Sequence, residues 1–312
     1  MKFILETEIT DFNQKISHKD KIVFFGSCFS DELSARFKNA GFDVLSNPFG
    51  TIFHPLAMAR NFENIFSNKA QHHIFEQNKT FFSWNCSSLI CKNSEKELEE
   101  ELNLIDSKLS ELLKNTSYLF ITFGTAWGYF HNEEKCIVAN CHKQKSDLFE
   151  KQLTEIDEMF VSWSAVLAKI YKENPKIKIV FTVSPVRHAK DGLIENNRSK
   201  ARLFEVISRL EKHFPTAYFP SYEIIQDELR DYRFYKEDLI HPNEQAISYV
   251  WSNIKTTLFD SKTLNKLDEI EKLRFLANHQ VLSSNKEEIE HFEKNRKQKI
   301  DIFLKNNSDV KW

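Results

Sequence analysis

The sequence is poor in the residues that form long irregular loops, because only 6 of its 312 residues are glycine and only 7 are proline. Chains rich in both residues tend to be disordered, so their scarcity argues against long flexible loops. Phenylalanine is abundant instead, with 28 copies, and hydrophobic residues make up 41% of the chain. That fraction supports a sizeable core, and the length suits one large α/β domain, alone or with a helical appendage.

A strong net charge and long apolar runs are also missing. The formal net charge is -2, which gives no sign of general affinity for nucleic acid or for an anionic membrane surface. No apolar run is long enough to span a bilayer. Acidic residues interrupt the start of the chain, where a secretory signal would be apolar. We therefore expect neither nucleic acid nor a membrane as a partner.

The 5 cysteines form an odd set in a chain without a secretory signal, so we expect reduced thiols and a cytoplasmic protein. Two groups come near the spacing of zinc ligands: Cys86 with Cys91, and Cys136 with Cys141 and its neighbour His142. This offset places two cysteine side chains on opposite faces of a strand, which disfavours shared ligation. We predict no metal site and no cofactor.

One predicted strand ends at two potential nucleophiles. Residues 21–25 suit a buried parallel strand, and Gly26 ends it. Ser27 and Cys28 follow at once, before a helix for which we predict Ser30 as the N-cap. Cys28 is intrinsically the better nucleophile, because part of a thiol is thiolate near neutral pH and a helix N-terminus lowers the thiol pKa further. Ser27 would need full help from a general base.

Strands and helices alternate up to about residue 258, which predicts an α/β fold with a doubly wound parallel sheet. The predicted core strands cover residues 21–25, 42–45, 118–122, 176–183 and 217–219, with a hairpin over 74–84 and a β excursion over 129–140. The predicted helices cover residues 30–40, 56–66, 94–115, 149–170, 198–213 and 246–254. Residues 259–312 contain two charged helical patterns and no strand. We predict a C-terminal helical extension to a domain of residues 1–258, docked on that domain or on another subunit.

The unusual polar residues of the chain follow the predicted core strands. In an open parallel sheet, binding sites form outside the carboxyl ends of the strands, so this convergence favours an enzyme. At the strand ends, an arginine could bind a carboxylate or phosphate of a substrate. The candidate residues at these ends are Ser27, Cys28, Asn47, Gly50, Gly124, Thr125, Arg187 and His188, and Asn140 and His142 after the β excursion could reach the same pocket.

Asp238 and His241 are the second strong feature, since their spacing lets the carboxylate hold the imidazole in one tautomer. Pro242 disfavours the helical conformation at His241 and keeps it on a loop. A histidine fixed by an acid is the base that a serine or cysteine nucleophile needs. The competing interpretation is that Asp238 and Asn243 only cap the next helix.

Several sequence blocks occur in an order that resembles a known family. The chain is similar to the GSCFA-domain proteins, which are grouped with the SGNH (GDSL-like) hydrolases, up to about residue 255. The resemblance implies a three-layer α/β/α sandwich and a hydrolase or acyltransferase acting on ester-linked acyl groups of a small molecule or a carbohydrate. The blocks are GSCFS at 26–30, NPFGT at 47–51, TFGTAW at 122–127, NCHK at 140–143, SPVRH at 184–188 and DLIHPN at 238–243.

The resemblance implies roles for single positions. The Gly-Asp-Ser block of SGNH enzymes falls on residues 26–28, which puts the nucleophile at Cys28 and leaves Ser27 in the place of the aspartate. Their Asp-x-x-His block falls on Asp238 and His241. His241, oriented by Asp238, would then take a proton from Cys28 or Ser27.

The oxyanion hole is the incomplete part of the resemblance. The backbone N–H groups of Cys28 and Gly50 would contribute to it, but Ala126 stands where SGNH enzymes have an asparagine donor. Losing one such donor costs about 10²- to 10³-fold in rate, so an active enzyme needs a substitute. The alternative is a carbohydrate- or partner-binding protein on a catalytically decayed scaffold, against which the acid and histidine pair argues. The candidate substitutes are Asn47, Asn140, His142 and Arg187.

Overall fold

The computed structural model describes residues 4–9, 12, 14–67, 69–279 and 285–312. Its strands form a central sheet and two small antiparallel sheets. In chain order the strands are β1 (Lys21–Gly26), β2 (Asp43–Ser46), β3 (Ile74–Gln77), β4 (Thr80–Ser83), β5 (Tyr118–Phe123), β6 (Trp127–His131), β7 (Cys136–Ile137), β8 (Phe149–Leu153), β9 (Lys178–Val183) and β10 (Thr216–Tyr218).

The central sheet confirms the predicted parallel arrangement. Its 5 strands pair in the order β10–β9–β5–β1–β2, and every pair is parallel. β2 lies on one side of β1, and the later strands follow on the other side. Because the strands are parallel, all their carboxyl ends meet at one edge of the sheet.

Helices cover both faces of this sheet. Within the described residues, no helix combines the length and the hydrophobicity needed to cross a bilayer. In chain order the helices are α1 (Cys28–Asn39), α2 (Pro55–Ile65), α3 (Glu95–Lys114), α4 (Ile156–Glu173), α5 (Leu193–His213), α6 (Ser221–Glu223), α7 (Glu244–Leu258), α8 (Ser261–Asn278) and α9 (Lys286–Asn306).

Alternate residues of a central strand pack against opposite helical layers, as the period of a strand requires. In β1, Val23 and Phe25 join a core cluster with side chains of α2, α3, α4 and α5. Ile22 and Phe24 instead join a cluster with side chains of α1 and α7. Helices on both faces of a parallel sheet are consistent with a three-layer α/β/α fold.

The first helix begins earlier than predicted, and Ser30 is not its N-cap. Ser27 occupies the N-cap with extended backbone, and the Ser30 N–H donates to the Ser27 carbonyl oxygen at 2.8 Å. The first turn is therefore already closed at Ser30. Cys28 is consequently the first residue of α1 and lies directly at the helix N-terminus.

The helix predicted over 149–170 is wrong in its first part. The spacing of Phe149 and Leu153 suggested a helix, but Phe149–Leu153 forms β8 and pairs antiparallel with β6. The helix begins only at Ile156. Pairing with a strand more distant in the chain overrides the local pattern here.

The C-terminal helices dock on the sheet-containing part of the same chain. Leu267 of α8 joins the core cluster that contains α1 and α7. Arg274 Nη2 donates to the Lys38 carbonyl oxygen at 3.4 Å, and the Lys311 N–H donates to that of Gly41 at 2.8 Å. From the sequence, the extension was expected to dock either on the preceding domain or on another subunit. In the structure it contacts the preceding part of the same chain, at the turn between α1 and β2.

Gly26 marks a close approach between β1 and β5. Its φ is +144°, and a Cβ at this position would lie 2.3 Å from the Thr122 carbonyl oxygen. Such a contact can be relieved only by moving the backbone of β5, which is paired on both sides. A glycine is therefore needed where the strand passes into the turn that carries Ser27 and Cys28.

We predict that Gly26→Ala lowers the free energy of unfolding by about 3 kcal/mol or more, because backbone strain adds to the collision with Thr122. Gly192→Ala is the matched control, since Gly192 has a φ of +81° but nothing lies within 4 Å of its Cβ position. In Gly192→Ala the free energy of unfolding should fall only by the cost of a positive φ for alanine, about 1–2 kcal/mol. Urea unfolding measures both, and equal losses would contradict the role of the close approach.

Candidate active site

The turn after β1 exposes a thiol and buries a hydroxyl. Ser27 is 1% exposed, and among the described residues its Oγ has no hydrogen-bond partner. Cys28 is half-buried at the first position of α1. Of the two predicted nucleophiles, Cys28 is therefore the accessible one.

The pKa of the Cys28 thiol is raised above its ordinary value, and burial is the main cause. The N–H of Phe29, which hydrogen-bonds to the sulfur, lowers the pKa by less, and the carboxylates of Asp31 and Glu32 raise it further. The sequence-based expectation of a lowered thiol pKa is therefore wrong. The helix N-terminus acts in the expected direction, but lost hydration of the thiolate outweighs it.

Hydrogen bonds to Asp31 connect the loop after β2 to the first turn of α1. Its carboxylate accepts hydrogen bonds from Asn47 Nδ2 at 2.7 Å, Ser46 Oγ at 3.0 Å and Thr51 Oγ1 at 3.2 Å. The other amide atom of Asn47, Oδ1, accepts the Gly26 N–H at 2.8 Å. Asn47 thus holds the turn after β1 in place, with both the oxygen and the nitrogen of its side-chain amide hydrogen-bonded.

Gly50 lies in the same loop and closes a tight turn. Its N–H donates to the Asn47 carbonyl oxygen at 2.7 Å, and its φ is +74°. A Cβ at this position would collide with Ser87 Oγ, so a glycine is required. In this arrangement the Gly50 N–H, predicted as an oxyanion donor, already has an acceptor within the protein.

Backbone hydrogen bonds hold the loop after β5 in place. The N–H groups of Gly124 and Thr125 both donate to the Phe53 carbonyl oxygen, at 2.8 and 3.2 Å. Ala126 is fully buried, and its N–H donates to Ser199 Oγ at 2.7 Å. The backbone N–H groups of residues 124–126 therefore serve the structure of the loop, and Ala126 offers no side-chain donor.

His54 ties the loop after β2 to the loop after β5. Its Nδ1 accepts the Leu56 N–H at 3.1 Å, so the proton lies on Nε2, which is 3.2 Å from the Ala126 carbonyl oxygen and 3.0 Å from Thr154 Oγ1. Burial lowers the pKa of His54 to about 4. This histidine is therefore neutral at pH 7 and acts as the N-cap of α2.

The N-terminal half of α5 contributes residues that sequence reasoning missed. The helix begins at Leu193, before its predicted start, and Ser199 and Lys200 contact the carboxyl edge of the sheet. Lys200 is 1% exposed, and its Nζ donates to the carbonyl oxygens of Gly124 and Ser184, both at 2.6 Å. Burial lowers the pKa of Lys200 to about 7, and the charge of Cys28 acts to raise it. The helical spacing of polar residues on an otherwise apolar face was the signal available in the sequence.

His188 follows β9 and is neutral at pH 7. Its pKa is lowered to about 4, mainly by burial and then by the positive charge of Lys200, with a smaller contribution from His241. The His188 ring meets the ring of Phe53 edge-on, with centroids 5.7 Å apart. A neutral imidazole keeps one N–H that can donate a hydrogen bond.

Arg187 holds the loop that carries Asp238 and His241. Its Nη1 donates to the Leu239 carbonyl oxygen at 3.2 Å, and its Nη2 donates to Gln226 Oε1 at 3.0 Å. The guanidinium lies 4.3 Å from the ring centre of Tyr235, which belongs to the same loop. Arg187 therefore contacts protein groups rather than standing free in the pocket.

Asp238 and His241 form the hydrogen-bonded pair that the sequence predicts. His241 Nδ1 lies 2.7 Å from Asp238 Oδ2, while Oδ1 accepts the N–H groups of His241 and Ile240 at 3.0 and 2.9 Å. These bonds, the backbone N–H of His241 first, hold the pKa of Asp238 well below its usual range. With the carboxylate ionised, Nδ1 carries the proton and Nε2 keeps a lone pair.

The loop of His241 lies beside the helix that begins with Cys28. Lys236 Nζ lies 3.5 Å from Glu32 Oε1, and Arg36 forms an ion pair with Glu244. Cys28, Glu32 and Arg36 are spaced to lie on one side of α1. Cys28 and His188 follow β1 and β9, and Lys200 contacts the carboxyl ends of β5 and β9. Arg187 and Lys236 connect the loop of Asp238 and His241 to the same edge of the sheet.

Asn140 and His142 belong to a different region. His142 is buried, with Nε2 2.9 Å from the Ser83 carbonyl oxygen and Nδ1 3.0 Å from Ser88 Oγ. Asn140 Oδ1 accepts the His142 N–H at 2.7 Å. Within the described ranges, these contacts connect both residues to the β3–β4 hairpin and not to the residues around Cys28.

The comparisons with known proteins agree with the block order seen in the sequence. A family model described as the GSCFA family matches residues 21–254. This match spans the central sheet from the first residue of β1 into α7, and it includes every residue of the site. A search of curated proteins finds no match.

We predict that His54→Asn makes the free energy of unfolding less dependent on pH between 7 and 4. The folded-state pKa of about 4 lies below the unfolded value of 6.5, so the contribution of neutral His54 is full above pH 6.5 and is lost as the pH falls towards 4. Asparagine keeps an acceptor for the Leu56 N–H but does not titrate. Between pH 7 and 4 the variant should lose on the order of 3 kcal/mol less than the native chain.

Urea unfolding at several pH values between 4 and 7 measures this difference. His54→Ala is the control, because it removes both the titration and the cap. It should show the same flat profile with a further loss of about 1 kcal/mol at every pH. A profile of His54→Asn as steep as that of the native chain would refute the assignment.

Proposed function

The chain belongs to the GSCFA family, and we propose that it is a hydrolase or acyltransferase of ester-linked acyl groups, with an SGNH-type, doubly wound α/β/α fold. The observation that carries the proposal is the 2.7 Å contact between Asp238 and His241, on a loop beside the α1 face that bears Cys28. A nucleophile, a base and an acid that orients the base are the usual set for covalent acyl transfer.

The order of the central strands supports the position of the site. β2 and β5 lie on opposite sides of β1, so the direction in which strands are added reverses there. In open α/β sheets, ligands bind in the crevice outside the carboxyl ends at such a point. Cys28 follows β1 at that place.

In the proposed reaction, the Cys28 sulfur is the nucleophile. His241 Nε2 takes the thiol proton, the sulfur attacks the acyl carbonyl carbon, and the carbonyl electron pair moves onto oxygen. The tetrahedral intermediate expels the alcohol oxygen, which receives the proton from His241, and a thioester remains on Cys28. Water or a sugar hydroxyl then gives a proton to His241 and attacks the thioester, and the sulfur leaves and takes that proton back from His241.

The proposal assigns the missing oxyanion donor to His188. His188 was not among the substitutes considered from the sequence, which all have partners elsewhere: Asn47 on Asp31, Asn140 on the His142 N–H, His142 on Ser83 and Arg187 on Leu239. The backbone N–H of Cys28 supplies one donor, as N–H groups at a helix N-terminus do. A neutral His188 supplies a second, because its depressed pKa keeps it uncharged while one N–H stays available.

A binding protein on a decayed scaffold is the second candidate function. The observation that favours it is the buried Ala126, which offers no side-chain donor in the third block. Such a protein would bind a carbohydrate or a partner and would not turn over an ester. It would also show no link between the reactivity of Cys28 and the presence of His241.

We predict that Cys28→Ala lowers the release of acetate from acetyl esters by about a thousandfold or more, since the covalent step is lost. Ser27→Ala should lower it less than about tenfold, because the Ser27 hydroxyl is buried. Acetyl esters are supplied as donors, and the acetyl group is traced to water and to an added sugar.

Each outcome of this assay identifies one function. Transfer to the sugar identifies an acyltransferase, and release to water alone identifies a hydrolase. A larger loss of acetate release in Ser27→Ala than in Cys28→Ala would identify Ser27 as the nucleophile. Absence of turnover, together with alkylation of Cys28 by iodoacetamide that is unchanged in His241→Ala, would favour the binding protein.

We also predict that Asp238→Asn lowers kcat by about 10²- to 10⁴-fold, because an amide can no longer hold His241 in the reactive tautomer. Asp260→Asn is the matched control, since Asp260 only caps α8 by accepting the Thr263 N–H. It should leave kcat and KM unchanged. Steady-state kinetics measures both variants, and a normal kcat in Asp238→Asn would reduce Asp238 to a loop-capping group.

A further inference from the structure

A carboxylic acid interrupts the apolar face with which α3 packs on the rest of the chain. The buried residues of this helix are Leu98, Leu102, Asp106, Leu109 and Leu113. The side chain of Asp106 is 8% exposed, and among the described residues neither of its oxygen atoms has a hydrogen-bond partner. A carboxylate buried in this way is costly unless a positive charge compensates it.

The imidazole of His72, which is also buried, contacts this acid. Its Nε2 atom lies 3.4 Å from Asp106 Oδ2 and 3.1 Å from Oδ1 of Asn103, which precedes Asp106 by three residues on α3. Residues three apart share a helix face, so both α3 side chains reach the same ring nitrogen. One nitrogen and two oxygen atoms, from two segments of the chain, therefore lie close together.

The distances argue against an ordinary ion pair between His72 and Asp106. A hydrogen bond between a charged imidazole and a carboxylate is about 2.7–2.9 Å long, whereas this contact is longer and is not a hydrogen bond. A protonated Asp106 would instead need an acceptor for its O–H group, and no residue in the described part of the chain supplies one.

The same distances suit atoms that share a metal ion. Two ligand atoms bonded to one ion at about 2.1 Å are separated by about 3.0–3.4 Å when the bond angle lies between the octahedral and the tetrahedral value. The two separations at His72 Nε2, 3.1 and 3.4 Å, lie in that range.

We propose that His72, Asn103 and Asp106 bind a divalent transition-metal ion, with Nε2 of the histidine, Oδ1 of the asparagine and both carboxylate oxygens as ligand atoms. Imidazole nitrogen together with amide and carboxylate oxygen suits ions such as Zn²⁺ and Mn²⁺. In the metal-bound form the imidazole proton lies on Nδ1, and the ion supplies the positive charge that the carboxylate lacks. The site uses none of the cysteines considered as zinc ligands from the sequence.

Hydrogen bonds fix the backbone beside His72 before any ion binds. Gln71 exchanges two hydrogen bonds with the side chain of Asn64 on α2, at 2.9 and 3.1 Å, and the His72 carbonyl oxygen accepts the Ser83 hydroxyl of β4. The two ligands on α3 are held by the helix itself. Asn103 is exposed, so the ion can enter from solvent past this residue. The ligands are thus preorganised and accessible, as metal binding requires.

An ion at this place has a structural role rather than a catalytic one. All four ligand atoms come from the chain, whereas catalytic metal sites keep one position open for water or substrate. The ion connects α3 to the segment that leads into the β3–β4 hairpin. After the hairpin, the Ser87 N–H donates to the Phe49 carbonyl oxygen at 3.0 Å, so this part of the chain also contacts the loop after β2.

The test measures the binding of Zn²⁺ to the full chain after a chelator has removed any metal. Bound zinc is counted by plasma mass spectrometry, and the affinity is measured by competition with a chelating dye. Asp106→Asn removes the charge but keeps the shape of the side chain, and His72→Gln removes the nitrogen ligand. Each variant should bind zinc about a hundredfold or more weakly than the native chain. Affinities equal to that of the native chain, or a native chain that binds no zinc, would overturn the proposal.

His73→Asn is the matched control. His73 is the neighbouring histidine and also contacts an acid, since its Nδ1 lies 2.6 Å from Glu134 Oε2. Asparagine tolerates the positive φ of this position, which is +47°. The control should bind zinc like the native chain. An equal loss of affinity in His73→Asn would show that the ion is not held by the three proposed ligands.

X-ray absorption spectroscopy of the zinc-loaded native chain needs no variant. It should show nitrogen and oxygen neighbours at about 2.0–2.2 Å, whereas a zinc–sulfur distance of about 2.3 Å would place the ion on cysteines and overturn the proposal. Excess Zn²⁺ should also raise Tm of the native chain by several degrees and leave that of Asp106→Asn unchanged. None of these measurements involves ester turnover, so their outcome is independent of the proposed function.

Discussion

The narrow gap between β1 and β5 at Gly26 is the constraint on which the arrangement of the candidate site depends. A Cβ at Gly26 would collide with the backbone of Thr122, so only glycine fits where β1 ends and the chain leaves the sheet. The Gly26 N–H is held by Asn47, and α1 starts two residues later with Cys28. The loops after β2, β5 and β9 are then bonded around this fixed point through Asp31, Phe53 and Lys200.

Burial divides the titratable groups of the site into two kinds. His54, His188 and Lys200 are buried, and the loss of hydration shifts each of their pKa values downward. Their protonation therefore responds to neighbouring charge as well as to bulk pH. Asp238 and His241 instead lie about half-exposed on a loop, where hydrogen bonds rather than burial set the state of the acid. In the proposed reaction, His241 exchanges protons with Cys28 and the substrate, Asp238 orients His241, and the neutral His188 donates to the oxyanion.

The sequence predicts the parts of this structure that depend on local pattern. Each strand of the parallel sheet, the turn after Gly26 and the Asp238–His241 pair lie within a short stretch, so local spacing indicates them. The features that were predicted wrongly depend on contacts between segments that are distant in the chain. β8 forms because β6 pairs with it, and the thiol pKa of Cys28 rises because packing removes its hydration.

Lys200 was missed for the same reason. Lys200 shares a helix face with Leu203 and Ile207, but a lysine within a helix is normally exposed. The docking of α5 on the ends of β5 and β9 shows that this one is buried. The local pattern placed Asn140 and His142 beside the pocket, whereas their hydrogen bonds connect them to the β3–β4 hairpin.

The two hydrogen-bond acceptors of Lys200 have a consequence for how the residues of such a site can change in evolution. Both are main-chain carbonyl oxygens, which every amino acid supplies, so the anchoring of the ammonium does not depend on the side chains at these positions. Residues along the loops after β5 and β9 can then be exchanged to fit a new substrate while the buried charge stays where it is. Engineering of specificity would accordingly begin in these loops, with the lysine and its helix left untouched.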